Sequence, residues 1–444
     1  MMKERLLALN LQAALLETAR RTDFNRVSTS RKRQHILNTE DAPRLVLPCT
    51  CSERLANCSM TIKIDDLLRI AASHGASDLH VKVGSFPFMR IGGELRPVVD
   101  ASRLTQEDTL DMAFSMMSNR QKQRFKEVNE VDIGYGVAGL GRFRANIFQQ
   151  RGTVSIVLRV IPDRTRSTAE LGMPPIIDKI ADEQRGLILV TGATGSGKST
   201  TLAAMIDRIN ATRSGHIVTI EDPIEFLHRD KRSFVSQREV DVDTRSFAEA
   251  LRGALRQDPD VILVGEMRDM ETIETALTAA ETGHLVLSTL HTLDATETIT
   301  RVVSSFPSHQ QKSIRLQLAS ILRAVISMRL VRAARGVNRV PAVEIMISTG
   351  LIRDYIMNEE KTYMIREAIA AGTSQYGMQT FDQSLFHLFQ SGLISIEEAL
   401  RNSTNPDEFR MRAAGIQSST EQAKEDMERI VSVAPAPVPV EAKS

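Results

Sequence analysis

Apolar positions change rhythm several times along the 444 residues. They recur at helical spacing over residues 65–73. Residues 79–83 and 88–91 alternate apolar with polar, which predicts half-buried strands, and Gly92-Gly93 supplies a turn between strands. Residues 142–148 alternate again, Arg151-Gly152 turns the chain, and 154–160 follow as a second strand, so a hairpin is expected. Residues 60–165 therefore read as a mixed α/β domain, with 166–175, Gly/Pro-punctuated, as a linker. From 176 to 345 short apolar runs (187–190, 217–220, 261–264, 285–287) alternate with helical stretches. Runs apolar on both faces predict a mainly parallel sheet covered by helices, an α/β fold. Residues 346–412 read as helical. The tail 413–444 ends in a Pro/Val/Ala run that buries little, and disorder is expected there.

Composition narrows the class. An apolar fraction of 42% supplies real cores, and a net charge of +1 gives no bulk argument for nucleic acid. No apolar run approaches the roughly 20 residues that span a bilayer, and the start lacks a secretory signal, so the reading is cytoplasmic. The cysteines are Cys49, Cys51 and Cys58. A disulfide framework and a tetracysteine zinc site are excluded from the body, and no zinc is expected. Residues 1–59 are basic, with ten Lys/Arg against six Asp/Glu, and residues 3–21 have helical spacing. Two readings stay open: upstream sequence preceding a true start at Met60, or a basic docking arm.

The chemistry concentrates after residue 186. Gly192-Ala193-Thr194-Gly195-Ser196-Gly197-Lys198-Ser199, followed by Thr200, stands between an apolar run and a helix with Leu202, Met205, Ile206 and Ile209 on one face. Glycines let the backbone curl and aim amides at phosphate oxygens, and the helix N-terminus adds positive potential. Lys198 would reach the β- and γ-phosphates of ATP, and Ser199 would ligate Mg²⁺. Hydrolysis also needs a group to orient water. Residues 260–265 form an apolar run ending at Glu266, and the C-terminal ends of parallel strands face the crevice beside such a loop, so Glu266 is the first candidate. Glu221, Asp222 and Glu225 crowd a second strand end, where a cation or a base role would offset their repulsion; Glu225 is the second candidate. His284 and His291 bracket another short strand, as half-buried structural histidines or as reporters of the γ-phosphate. Arg142, Arg144, Arg159, Arg252 and Arg256 are candidate arginine contacts, or parts of solvated basic faces.

These pieces together resemble the secretion-type ATPases of type IV pilus and type II secretion machines. The resemblance spans residues 60–411 and rests on the phosphate loop, on Thr219 to Phe226 (that family's Asp box), on Arg256 to Asp260 running into Gly265-Glu266-Met267-Arg268-Asp269, and on Gly283-His284 through Ser288 to Thr292. It implies a PAS-like N-terminal domain, a RecA-like C-terminal domain, a homohexameric ring, and site roles for Glu225, Glu266, His284 and His291. The absence of a tetracysteine module points to the retraction branch. That branch's helix reading Ala-Ile-Arg-Asn-Leu-Ile-Arg-Glu is matched by residues 350–358, where Arg353 survives and Met357 replaces the second arginine. That departure leaves room for an accessory paralogue. The expected partners are other copies of the chain, an inner-membrane platform protein and a paralogous retraction ATPase, with the motor peripheral at the inner membrane. Two rivals remain: a nucleic-acid motor, disfavoured by few aromatics and a mildly acidic body, and a non-hydrolysing regulatory subunit, disfavoured by Glu266.

Overall fold

The computed structural model describes residues 62–98, 101–161, 164–336 and 339–415. The expectations for residues 1–59, their three cysteines and the tail from 416 lie outside the described residues. Two units divide the chain, Met1–Asn57 with Val98–Ala101 and Cys58–Pro97 with Ser102–Ser444; every element below belongs to the second.

Its first part begins with α1 (Ile64–Ser73), whose Ile64, Leu67, Leu68 and Ala71 are buried. Strands β1 (Asp78–Lys82), β2 (Phe88–Ile91) and β3 (Glu94–Pro97) follow. Next come α2 (Gln106–Met116) and α3 (Asn119–Val128), each started by a capping box, on Thr105 and on Ser118. These boxes satisfy first-turn amides that the helix itself cannot. Then β4 (Glu130–Val137), β5 (Gly141–Gln150) and β6 (Thr153–Ile161) complete an antiparallel sheet of order β3-β2-β1-β6-β5-β4. The expected hairpin is β5–β6, turned at Arg151 and Gly152, both at positive φ. Alternation puts Leu79, Val81, Met89, Phe143, Ala145, Ile147, Ile156 and Leu158 in the core, while Arg142, Arg144 and Arg159 stand on the opposite face. Strand β4 was not foreseen. Gly134 and Gly136 weaken its local signal, and only pairing with β5 makes it a strand.

The second part comprises α4 (Ile176–Ala181), β7 (Gly186–Thr191), α5 (Lys198–Thr212), β8 (His216–Glu221), β9 (Phe234–Glu239), α6 (Phe247–Ala254) and β10 (Val261–Val264). It continues through α7 (Met270–Glu281), β11 (Leu285–Leu290), α8 (Ala295–Ser304), α9 (Ser308–Ile321), β12 (Leu322–Arg332) and β13 (Arg339–Ile347). The sheet order is β13-β12-β7-β11-β10-β8-β9, parallel except for β13 against β12. One face packs on Leu251, Ile273, Leu277, Ile299 and Leu318, the other on Ile177, Leu202, Met205, Ile206 and Ile209. Strands β7, β10 and β11 are buried throughout, which explains their unbroken apolar runs. Each such side chain contributes roughly 1.5–3 kcal/mol of burial. Helices α10 (Gly350–Met357), α11 (Ile365–Ala371), α12 (Thr373–Tyr376), α13 (Phe381–Gln390), α14 (Ile396–Asn402) and α15 (Pro406–Ala413) follow. The last three seal Phe381, Leu385 and Phe409 against Val331 and Ala342 of the β12–β13 pair. Among the described residues no helix is long and apolar enough to cross a membrane.

Candidate functional site

The loop between β7 and α5 is built by its glycines. Gly192, Gly195 and Gly197 take φ of 139°, 77° and 99°, a region costly for any residue with a Cβ. A Cβ on Gly192 would lie 2.5 Å from the Met328 carbonyl oxygen and 2.7 Å from Ser196 Oγ. The loop therefore lies directly over β12, and Thr191 Oγ1 donates to Ser327 Oγ there at 3.0 Å. Gly197 is the N-cap of α5 and offers no side chain to its amides. A 15-residue helix thus begins with its positive end turned to the crevice. Lys198 Nζ donates to the carbonyls of Gly192 at 2.8 Å and Ala193 at 3.1 Å. Burial lowers the Lys198 pKa, and the carboxylates of Glu266 and Glu225 oppose that. Ser196 Oγ is buried without a hydrogen-bond partner.

Facing this loop is a crevice of about 200 Å³ at the C-terminal ends of β8, β10 and β11. Lys198 and Ser199 line it from one side, and Glu221, Asp222, Glu225, Glu266, Arg268, His291 and Arg144 from the others. Parallel strands in register deliver successive carboxylates here: Val264 sits beside Ile220 and Ser288. Gly265 closes the gap, since a Cβ there would approach the Ile220 carbonyl oxygen to 3.1 Å. Glu266 is held at both oxygens, by Arg268 Nη2 at 2.6 Å and His291 Nε2 at 3.4 Å, with its side chain 14% exposed. Glu221 turns inward and accepts from Thr219 Oγ1 at 2.7 Å and Gln237 Nε2 at 3.1 Å. Burial raises its pKa. Burial also raises that of Asp222, with repulsion from Asp241 and Glu266 adding and Arg268 opposing. Glu225 remains half exposed and takes Arg144 Nη1 at 3.4 Å, while Asp132 anchors the same guanidinium at 2.6 Å. The carboxylates and the Ser199 hydroxyl are hard oxygen ligands of the kind Mg²⁺ takes.

Other sequence candidates go elsewhere. Arg142 is spent on buried Glu239. Arg159 is the cross-strand neighbour of Arg144 but pairs with Asp78 at 3.0 Å. Arg252 pairs with Glu271 on the surface, and Arg256 lines a separate depression with Arg238 and Arg245. His284 caps the other end of β11, its Nδ1 near Ala279 O and Thr282 Oγ1. At about 3.3 Å per residue the strand separates the two histidines by on the order of 20 Å, so only His291 reaches the crevice. Arg268 also lines the crevice, although it is not among the arginine candidates drawn from the sequence. Its signal was its place two residues after Glu266 at a strand end.

The type IV pilus retractation ATPase PilT of Pseudomonas aeruginosa is 48% identical over 346 residues, 78% of this chain and 99% of that protein. The type IV pilus ATPase PilU of the same organism is 39% identical over 350 residues, 79% of this chain and 91% of its own. The crystal structure of the pilus retraction motor PilT with bound ADP matches with a TM-score of 0.72 at 48% identity, over 78% of this chain and 98% of that one. The model of the family described as type II/IV secretion system protein matches residues 58–435, and the chain belongs to that family.

Proposed function

We propose that this chain is an ATP-hydrolysing motor that retracts type IV pili and so drives twitching motility. The observation that carries the reading is the Glu266 carboxylate, oriented by Arg268 and His291 and facing a loop whose glycines and helix end suit phosphate. Backbone amides of residues 192–200 cradle the phosphates, Lys198 neutralises the β- and γ-phosphates, and Ser199 holds Mg²⁺. The metal, when bound, offsets negative charge on the phosphate oxygens. Glu266 orients the attacking water, and Glu225 assists. Arg144 approaches from the six-stranded sheet to offset transition-state charge, and His291 registers the γ-phosphate through Glu266.

Six copies form a ring that acts on a platform protein at the inner membrane, with a paralogous ATPase as a further partner. Higher identity to the retraction ATPase than to PilU supports the retraction role. Met357, 40% exposed at the end of α10, favours the accessory role as a second reading.

Deletion of the gene, with complementation by wild type and by Lys198→Ala, tests the proposal. Excess surface pili without twitching, rescued only by wild type, is expected. Bald cells would mean pilus assembly, and intact twitching would mean an accessory role. ATP turnover that rises on adding DNA would revive a nucleic-acid motor.

A further inference from the structure

Glu239 closes β9 and is only 2% exposed, yet it lies outside the crevice lining. A buried carboxylate needs several donors to offset lost hydration. It receives them from three separate segments. The Gly134 amide of β4 donates to it at 3.2 Å, the Ile224 amide of the acidic loop at 3.2 Å, and the Arg142 guanidinium of β5 completes the set. Gly134 is glycine for a reason visible here: a Cβ would lie 2.7 Å from Glu239 Oε2 and would strike the Arg142 guanidinium. The Glu239 amide donates in turn to Asp243 Oδ2 at 2.8 Å, which holds the strand end itself.

The sequence positions of these donors matter. Ile224 immediately precedes Glu225, and Arg142 lies two residues before Arg144 on the same strand face. The carboxylate that binds the first pair therefore stands behind the second pair, Glu225 and Arg144, which meet at 3.4 Å. A second, exposed tie joins the same two parts, Arg120 and Arg124 of α3 reaching Asp241. Exposed pairs of that kind contribute little, so the buried tie dominates.

We propose that Glu239 is a positioning residue: it locks the six-stranded sheet to the acidic loop, so that the sheet's placement sets whether Arg144 and Glu225 are in register at the crevice. The proposal rests on the crevice being the ATPase site. Arg142, on this account, is a structural partner of Glu239 and does not touch nucleotide.

The test uses the full chain with Glu239→Gln, Arg142→Met and Arg142→Lys. It measures Mg-ATP turnover, affinity for a fluorescent ATP analogue, and amide hydrogen exchange over residues 130–137 and 222–226. Misplacing a catalytic pair by about 1 Å costs on the order of 100-fold in rate. Glu239→Gln and Arg142→Met should therefore lower kcat about 10- to 100-fold, with KM and analogue affinity within about threefold. Exchange should quicken in both segments together. Arg142→Lys, which keeps the charge, should recover most of kcat. Unchanged kcat, faster exchange in only one segment, or faster exchange spread over the whole seven-stranded sheet would each overturn the proposal. If Glu239→Gln does not fold, the two Arg142 variants decide. If the wild type turns over no ATP, the ATPase reading falls, while the paired exchange response still decides whether Glu239 makes the tie.

Discussion

His291 Nε2 stands 3.4 Å from Glu266 Oε2, at the adjoining ends of two parallel strands. Arg268 holds the other oxygen of that carboxylate at 2.6 Å. Both carboxylate oxygens are thereby held in place, the preorganisation that the proposed role of Glu266 requires. The imidazole is half exposed, with its side chain at 52%, and Glu266 is its partner at the crevice.

Removing the carboxylate should separate binding from chemistry. Glu266→Gln is expected to bind the fluorescent ATP analogue as the wild type does and to lose at least about 100-fold in kcat. His291→Ala and Arg268→Ala should each lose about 10-fold, because they orient the carboxylate and do not replace it. Steady-state turnover with parallel binding titrations checks this. Equal losses in affinity and rate would place these residues in ground-state binding.

Gly192→Ala should damage the loop itself. The new Cβ would press on the Met328 carbonyl oxygen at 2.5 Å, in a backbone region that costs about 1–3 kcal/mol for a side-chain-bearing residue. A lower Tm together with loss of analogue binding is expected. Retained binding would show that the loop can reshape without cost.

Chelation should stop turnover reversibly. With EDTA in excess of divalent ions, hydrolysis is expected to fall to background and to return on adding Mg²⁺. Ser199→Ala should shift the Mg²⁺ concentration giving half-maximal rate upward by about 10-fold, since one hydroxyl ligand is lost. An unchanged Mg²⁺ dependence would remove Ser199 from the metal site.

Glu344 supplies a pH signature of stability. It is buried in β13 and accepts the Ala295 amide at 2.8 Å. Burial pushes its pKa up from 4.5 to about 7, with Asp294 adding, and with the Ala295 hydrogen bond, Arg329 and Arg366 opposing. A raised carboxyl pKa means that the folded state holds its proton longer than the unfolded chain does. Its contribution is complete below pH 4.5 and is lost as pH rises to about 7. Glu344→Gln keeps the acceptor and removes the ionisation. The Tm difference, variant minus wild type, should grow between pH 4.5 and 7 and then level off, an effect on the order of 3 kcal/mol. A pH-independent difference would contradict it.

Much of the site was legible because it is local. The phosphate loop needs only a buried strand, glycines at the positive-φ positions and a helix start, and all of these are contiguous from Gly186 to Thr212. Glu266 and Glu225 were legible for a related reason: an apolar run that ends in a carboxylate marks the C-terminal edge of a parallel sheet.

Other features depended on which distant strands became neighbours, and no local period encodes that. Strands β12 and β13 were missed although β12 lies against β7 and forms the floor beneath Gly192. His284 and His291 look equivalent in sequence, but strand direction sends one to the crevice and the other to the opposite end. Arg142 and Arg144 share one strand face, yet Glu239, 97 residues from Arg142, claims the first, and Glu225, 81 residues from Arg144, meets the second. By itself the sequence determined a glycine-rich loop between a buried strand and a helix start, and which strand ends carry acid. Sheet order and the docking of the six-stranded sheet decided which arginine and which histidine those acids meet, because such contacts exist only once remote segments are packed side by side.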